Sequence, residues 1–308
     1  MKTLNLVDID KSDIKYQIQK FPDGQQNIVI GTGGKVTYTS KEPVQIKSRL
    51  NNWLDLELIT CAAASLHELG VDEIHLYTPY IVGARSDRDF TEGNGGNNYL
   101  KDVICPVINS LNFKTVTCID PHSDVLEACI KGFRKISNKD LVYWALRNGI
   151  CTYKNVKEGI RPLDMDNIVL VSPDAGASKK IYKLAEQIGY KGDIITCSKD
   201  RDKDGKLTKC VVPLNDRESH NFIIIDDICD GGATFINIAK EIKKQYEGLE
   251  TISPIKIYLI VTHGIFSKGF NELTQYFDGI YCTNSYRDTE FGPPLEKNGF
   301  CVKELNVF

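Results

Sequence analysis

At 308 residues the chain is too long for one typical small domain and comfortable for two. A 42% hydrophobic fraction with 26% charged residues excludes a disordered or membrane-embedded chain, and a formal net charge of -3 argues against a general nucleic-acid binder. Ten cysteines without a CxxC pair argue against a zinc site or a disulfide framework and for a reducing, cytoplasmic setting. The opening Met1-Lys2-Thr3-Leu4-Asn5 lacks the apolar core of a signal peptide, and no apolar run reaches the length of a membrane span. Neither nucleic acid nor membrane is therefore expected as a partner. The pairs Lys179–Lys180 and Lys243–Lys244 read as solvated helix faces.

Short strands are predicted at 27–30, 35–40 and Val44–Lys47, the first two separated by the turn signal Gly31-Thr32-Gly33-Gly34. A helix over 52–69 follows, because Trp53, Leu56, Ile59, Ala63 and Leu66 recur at helical spacing. Next come a strand at 73–77, a Gly-rich polar stretch over 83–98, a helix over 99–111 and the strand Thr115–Ile119. The least patterned stretch, 139–156, marks a domain boundary, which divides the chain into 1–147 and 148–308. The second half repeats the alternation: strand 168–171, helix 178–188, strand Ile194–Thr196, then a charged mobile loop over 200–216. Strand 222–225 precedes a helix marked by Phe235, Ile238, Ala239, Ile242 and Tyr246; strands at 255–261 and 279–282 close the series. Strands alternating with helices imply an α/β fold of mainly parallel sheets, each flanked by helices.

The sharpest chemical signal follows strand 222–225. Asp226 and Asp227 come directly after four apolar residues; Asp230-Gly231-Gly232-Ala233-Thr234 then leads into a helix. Open α/β sheets bind ligands at the carboxyl ends of their strands. A helix N-terminus presents N–H groups to a phosphate, and glycines allow the backbone to approach it. Thr234 adds a hydroxyl, and the two carboxylates suit the two hydroxyls of a ribose. The plainer alternative is Asp230 as an ordinary N-cap.

This segment resembles the phosphoribosyl-diphosphate motif of type I phosphoribosyltransferases and ribose-phosphate pyrophosphokinases. Five further segments resemble the pyrophosphokinase family in the same order, and a sixth does so after a late strand. Phe21-Pro22-Asp23-Gly24-Gln25 resembles its early nucleotide loop, and Gly83-Ala84-Arg85-Ser86-Asp87-Arg88 its Arg-containing ATP segment. Asp120-Pro121-His122-Ser123-Asp124 resembles its metal and phosphate segment, Val171-Ser172-Pro173-Asp174-Ala175-Gly176 the start of its second domain, and Lys199-Asp200-Arg201 its mobile catalytic loop. The sixth is Thr262-His263-Gly264-Ile265-Phe266-Ser267.

The resemblance implies two phosphoribosyltransferase-like domains, 1–147 binding ATP and 148–308 binding the sugar phosphate. It implies a Mg²⁺-dependent diphosphokinase that passes the β,γ-pyrophosphate of ATP to the anomeric hydroxyl of ribose 5-phosphate. ATP falls to Phe21, Asp23, Gln25, Arg85, Ser86, Asp87, Arg88 and His122. Lys199 and Arg201 become catalytic cations that a closing loop brings to the phosphates. His122, Asp174 and Asp120 become candidate Mg²⁺ ligands. Asp226, Asp227, Asp230, Gly231, Gly232, Ala233 and Thr234 take the sugar phosphate. A homo-oligomer, dimer or hexamer, is implied as well, with the early loop completing a neighbour's ATP site.

Read from the residues alone, Phe21 is equally a core side chain beside a Pro-Asp-Gly turn, and His263 favours a structural hydrogen bond over a ligand contact. The chain also departs from the family pattern. Gln25 stands where an acid is usual, Ser86 where Gln is usual, and Gly231 and Ala233 where the loop usually has a hydroxyl residue and Gly. These departures leave open the same chemistry on a larger acceptor containing ribose 5-phosphate, such as ADP-ribose, in NAD metabolism. A phosphoribosyltransferase or a non-catalytic regulatory relative is the further alternative.

Overall fold

Parallel strands buried on both faces read as unbroken apolar runs, and the second half of the chain is built from such runs. The computed structural model describes residues 1–31, 41–89, 91, 95–151, 163–201, 207–214, 221–248, 254–289 and 300–308, with backbone alone for 199–201 and 207–209. The chain divides into two units, Met1–Ile136 with Val307–Phe308, and Ser137–Asn306.

In the first unit, β1 (Lys2–Asn5) is followed by a hairpin of β2 (Tyr16–Lys20) and β3 (Gln26–Ile30), then by β4 (Val44–Lys47) and α1 (Trp53–Glu68). β5 (Ile74–Tyr77), α2 (Cys105–Ser110), β6 (Thr115–Ile119), α3 (Val125–Cys129) and β7 (Phe133–Ile136) complete it. The sheet order is β1-β4-β5-β6-β7, every pairing parallel, while β2 and β3 form their own antiparallel pair. Strand order therefore runs one way along this sheet, without reversal.

The Asn52 side chain caps α1, accepting from Leu54 N at 2.8 Å and Asp55 N at 3.1 Å; losing such a cap costs about 1 kcal/mol. Leu56, Ile59, Ala62, Ala63 and Leu66 face the core. Phe308 closes one end of this unit. Its ring meets Tyr77 edge-on at 6.2 Å and lies under Arg49 at 5.5 Å. Tyr77 Oη donates to Val307 O at 2.9 Å.

The second unit begins with α4 (Lys139–Ala145) and continues through β8 (Ile168–Ser172), α5 (Ala175–Ile188), β9 (Ile194–Thr196), β10 (Ser198–Arg201) and β11 (Leu207–Val211). Then come β12 (Asn221–Cys229), α6 (Ala233–Tyr246), β13 (Lys256–Gly264), β14 (Gly279–Thr283) and β15 (Cys301–Leu305). Its sheet order is β15-β14-β13-β12-β8-β9, all parallel. Strand order reverses between β8 and β12. β12 alternates between two cores: Phe222 and Ile224 pack with the α6 side chains, Ile223 and Ile225 with those of α4 and α5. Truncating one of these isoleucines to Ala costs about 2–5 kcal/mol.

Several expectations change. The units divide ahead of α4, whereas the sequence reading put the division at 147/148. Leu141, Val142 and Ala145 of α4 pack into the second unit's core, so the helix goes with that unit. The helix expected over 99–111 starts as a wide π turn, Leu100–Ile104, before α2. Part of the expected loop over 200–216 is strand, since β10 pairs antiparallel with β11. The strand expected at 35–40 lies outside the described residues. Among the described residues, no helix is long and apolar enough to cross a membrane.

Candidate active site

The reversal of strand order between β8 and β12 opens a crevice at the carboxyl ends of these strands, the position where open α/β sheets bind ligands. Asp174 caps α5 on the β8 side; its Oδ1 accepts from Ala177 N at 2.9 Å. Asp226 and Asp227 lie at the end of β12 on the other side. Asp227 is 5% exposed and accepts from Lys180 Nζ of α5 at 3.1 Å. Burial pushes the Asp226 carboxyl well above the usual carboxylate range. The Asp227 charge and a hydrogen bond between the two side chains add to the shift, and the Asp174 charge contributes less. Two carboxyls this close favour sharing a proton. Lys180 is exposed, as expected of a solvated helix face, and its Nζ reaches Asp227 from there, so its loss leaves a buried carboxylate without its cation.

The turn after β12 explains its glycines. Gly232 has φ +80°, and an added Cβ would stand 2.9 Å from Leu273 Cδ2. Gly231 carries neither restriction: a Cβ there would meet only the flexible chain of Lys268 at 3.3 Å. Gly232, not Asp230, is the N-cap of α6, so the first turn receives no side-chain cap there. Its N–H groups open beside Ala233 and Thr234, as an anion site requires. Asp230 instead accepts from Ser267 Oγ at 2.6 Å. Ile265 N and Phe266 N donate to Cys229 O at 2.9 and 3.1 Å, which ties the segment after β13 to the end of β12. His263 is 2% exposed, with Nδ1 2.8 Å from Ser285 Oγ, the structural hydrogen bond favoured from sequence.

The remaining site residues expected from sequence are distributed as follows. Phe21, Asp23 and Gln25 form the tip of the β2–β3 hairpin. Phe21 N donates to Gln25 O at 2.9 Å, Gln25 N donates to Asp23 Oδ1 at 3.1 Å, and Gly24 has φ +95°. Phe21 is 45% exposed, which removes the core-packing alternative. Arg85, Ser86, Asp87 and Arg88 follow β5 in a turn with both arginines exposed; Ser86 N donates to Gly83 O at 2.8 Å. Asp120 follows β6 with φ +43° and is 7% exposed, while His122 is exposed. Lys199 and Arg201 lie on β10, opposite Cys210 and Leu207 in the strand register.

Asp120 and His122 thus belong to the first unit, Asp174 to the second. Among the described residues no group of three or more His, Cys, Asp and Glu side chains gathers as a metal cluster. Mg²⁺ held mainly through nucleotide phosphates needs only one or two protein carboxylates, and each unit by itself offers one oxygen donor, Asp120 in the first and Asp174 in the second. The functional partners that sequence reasoning missed are Lys180 and the pairing of Ser267 with Asp230. A lysine two turns into a helix and a serine in a loop carry no local signal of the carboxylate each one meets.

No family model matches the chain. It is 26% identical over 283 residues to a ribose-phosphate pyrophosphokinase of Mycoplasmopsis pulmonis, covering 88% of this chain and 79% of that protein. It is 26% identical over 276 residues to one of Thermosipho africanus, covering 87% and 77%. The fold is similar to that of phosphoribosylpyrophosphate synthetase from Mycobacterium smegmatis, with a TM-score of 0.73 at 16% identity over 97% of this chain and 88% of that one. Fold and topology define a two-unit α/β protein built on mainly parallel sheets. Within that class, the chain is a divergent relative of the ribose-phosphate pyrophosphokinases.

Proposed function

We propose that the chain is a Mg²⁺-dependent diphosphokinase that makes phosphoribosyl diphosphate and AMP from ATP and ribose 5-phosphate. The observation that carries this reading is the adjacent Asp226–Asp227 pair beside the Gly232-capped start of α6, at the strand-order reversal. Relatives of that name, aligned over most of the chain, support it. The two carboxyls accept from ribose hydroxyls, and the first turn of α6 with Thr234 receives the 5-phosphate. The anomeric oxygen attacks the β-phosphorus of ATP. The bond from that phosphorus to the oxygen bridging to the α-phosphate breaks, its electron pair leaves with AMP, and the hydroxyl proton is released. Negative charge gathers on the transferred phosphates, and Lys199 and Arg201 of the β10–β11 ribbon are assigned to stabilise it.

In this reading Arg85 and Arg88 hold ATP phosphate, with Ser86, Asp87 and His122 beside them. Phe21, Asp23 and Gln25 contact adenine at a neighbouring protomer's site in a dimer or hexamer. Asp120, His122 and Asp174 are the residues assigned to Mg²⁺, which supplies charge neutralisation at the phosphates. A cytoplasmic location follows from the same reading.

The second reading keeps the chemistry and changes the acceptor to ADP-ribose, giving ADP-ribose pyrophosphate for NAD resynthesis. Gly231 favours it: the position usually occupied by a hydroxyl residue carries no side chain here, and an added Cβ would meet the Lys268 chain at 3.3 Å, so the loop presents bare backbone to a larger phosphate ester. Incubation with Mg²⁺, ATP and either acceptor, read by mass spectrometry for AMP and the diphosphorylated product, separates these readings. AMP with ribose 5-phosphate supports the first, and AMP with ADP-ribose alone moves the chain to the second. No AMP with either sinks both and favours a transferase or regulatory relative. In an active protein, Lys199→Ala should cut turnover far more than ATP binding.

A further inference from the structure

The chain has two tryptophans, and Trp53 is in an unusual position for one. It opens α1 with its side chain 49% exposed, followed by Leu54 at 55%. Exposure on this scale usually leaves a ring free to turn, yet Trp53 Nε1 donates to Tyr99 Oη at 2.9 Å. Tyr99 is itself held. Its ring covers Gly83, where φ is +78° and an added Cβ would stand 2.7 Å from Tyr99 Cδ1. The residues on either side of Tyr99 lace the arginine turn: Asn98 Nδ2 donates to Asp87 O at 2.6 Å, and Leu100 N to Ser86 O at 3.0 Å. From the other direction, the β2–β3 hairpin grips the same turn of α1. Gln26 Nε2 donates to Leu54 O at 3.1 Å, and Gln26 N to Glu57 Oε2 at 3.2 Å.

A half-exposed indole is therefore held by Tyr99, whose sequence neighbours bond the turn carrying Arg85 and Arg88, and it stands on a helix whose first turn is bonded by the β2–β3 hairpin. A rigid aromatic plate offers a π face for a base to stack on, and nearby guanidinium groups suit the phosphates of the same ligand. We infer that Trp53 is a nucleobase-stacking residue of the first unit and takes the purine ring of a nucleoside triphosphate, with Tyr99 as its positioning residue. The inference deepens the functional reading above and rests on it.

The test uses the full chain carrying Trp144→Phe, which leaves Trp53 as its one indole. ATP and AMP should each quench its emission by a fifth or more, while tripolyphosphate should leave it unchanged. In the parent protein, Trp53→Ala should raise the KM for ATP about tenfold, the scale of one lost base–aromatic stack, with kcat within twofold. Trp53→Phe, which retains a ring, should stay within threefold of the parent. Calorimetric binding of ATP to the Trp144→Phe protein with unchanged emission overturns the inference and leaves the diphosphokinase reading standing. An unchanged KM in Trp53→Ala does the same. Absence of any heat with ATP in the parent protein overturns the diphosphokinase reading, and the inference with it.

Discussion

The two parallel sheets of this chain carry their chemistry differently. In the second unit strand order reverses between β8 and β12, and three aspartates interact electrostatically at that reversal, with Asp227 buried and the Asp226 carboxyl shifted upward. In the first unit the order runs one way, and Phe21, Arg85, Arg88 and His122 stand on exposed turns, with Asp120 the buried exception. A reversal spreads the loops of adjacent strands apart and creates a crevice whose walls desolvate what they hold. A one-way sheet leaves its loops facing water, to be organised by what they bind. Damage to the first site should therefore appear mainly in ligand affinity, and damage to the second in both stability and turnover.

The largest expected effect that would sharpen this contrast is at Asp226. Asp226→Ala should lower acceptor-dependent AMP formation more than a hundredfold, or about 3 kcal/mol of barrier, while ATP binding by calorimetry holds. Full activity in that variant would break the comparison. Gly232→Ala places a Cβ against Leu273 at a left-handed φ and should cost about 2 kcal/mol in urea unfolding. Gly231→Ala, with neither restriction, serves as the control and should stay within about 0.5 kcal/mol; equal losses in the two would refute the reading of the turn.

A smaller effect concerns pH. The Asp226 carboxyl is raised above its ordinary 3.8, so between the unfolded and folded values the folded chain holds the extra proton. The stability this contributes is complete below the unfolded value and is lost as pH rises through the folded one. Its slope is at most about 1.4 kcal/mol per pH unit. Asp226→Asn should flatten that slope in a pH series of unfolding curves, and an unaltered slope would remove Asp226 as the group responsible. Smallest is Ser267→Ala. Removing the bond to Asp230 should cost about 1 kcal/mol, and turnover should fall only a few fold if the bond orients the loop rather than contacting substrate.

Much of the second sheet was legible in the sequence because a strand buried on both faces spells itself out: Phe222 to Ile225 and Ile168 to Val171 contain no polar interruption. The edges were not. β7 is Phe133-Arg134-Lys135-Ile136, whose charges belong at a sheet margin, and α3 has five residues, too few for a 3.6-residue period to declare itself. β10 and β11 were hidden by the charges of 199–209. At the site, the Asp-Asp and Gly-Gly pairs were readable because each answers a local demand of a strand end and a turn. Lys180 was not, because its partner lies 47 positions away along the chain.

The ring of Phe308 bears on the order in which the chain can fold. It packs on Tyr77 and beneath Arg49 in the unit that begins at Met1, so a growing chain carries an incomplete first unit until translation reaches residue 308. Domains generally fold as they emerge, N-terminal first. Here the unit whose strands are made first is completed only once residue 308 has been made.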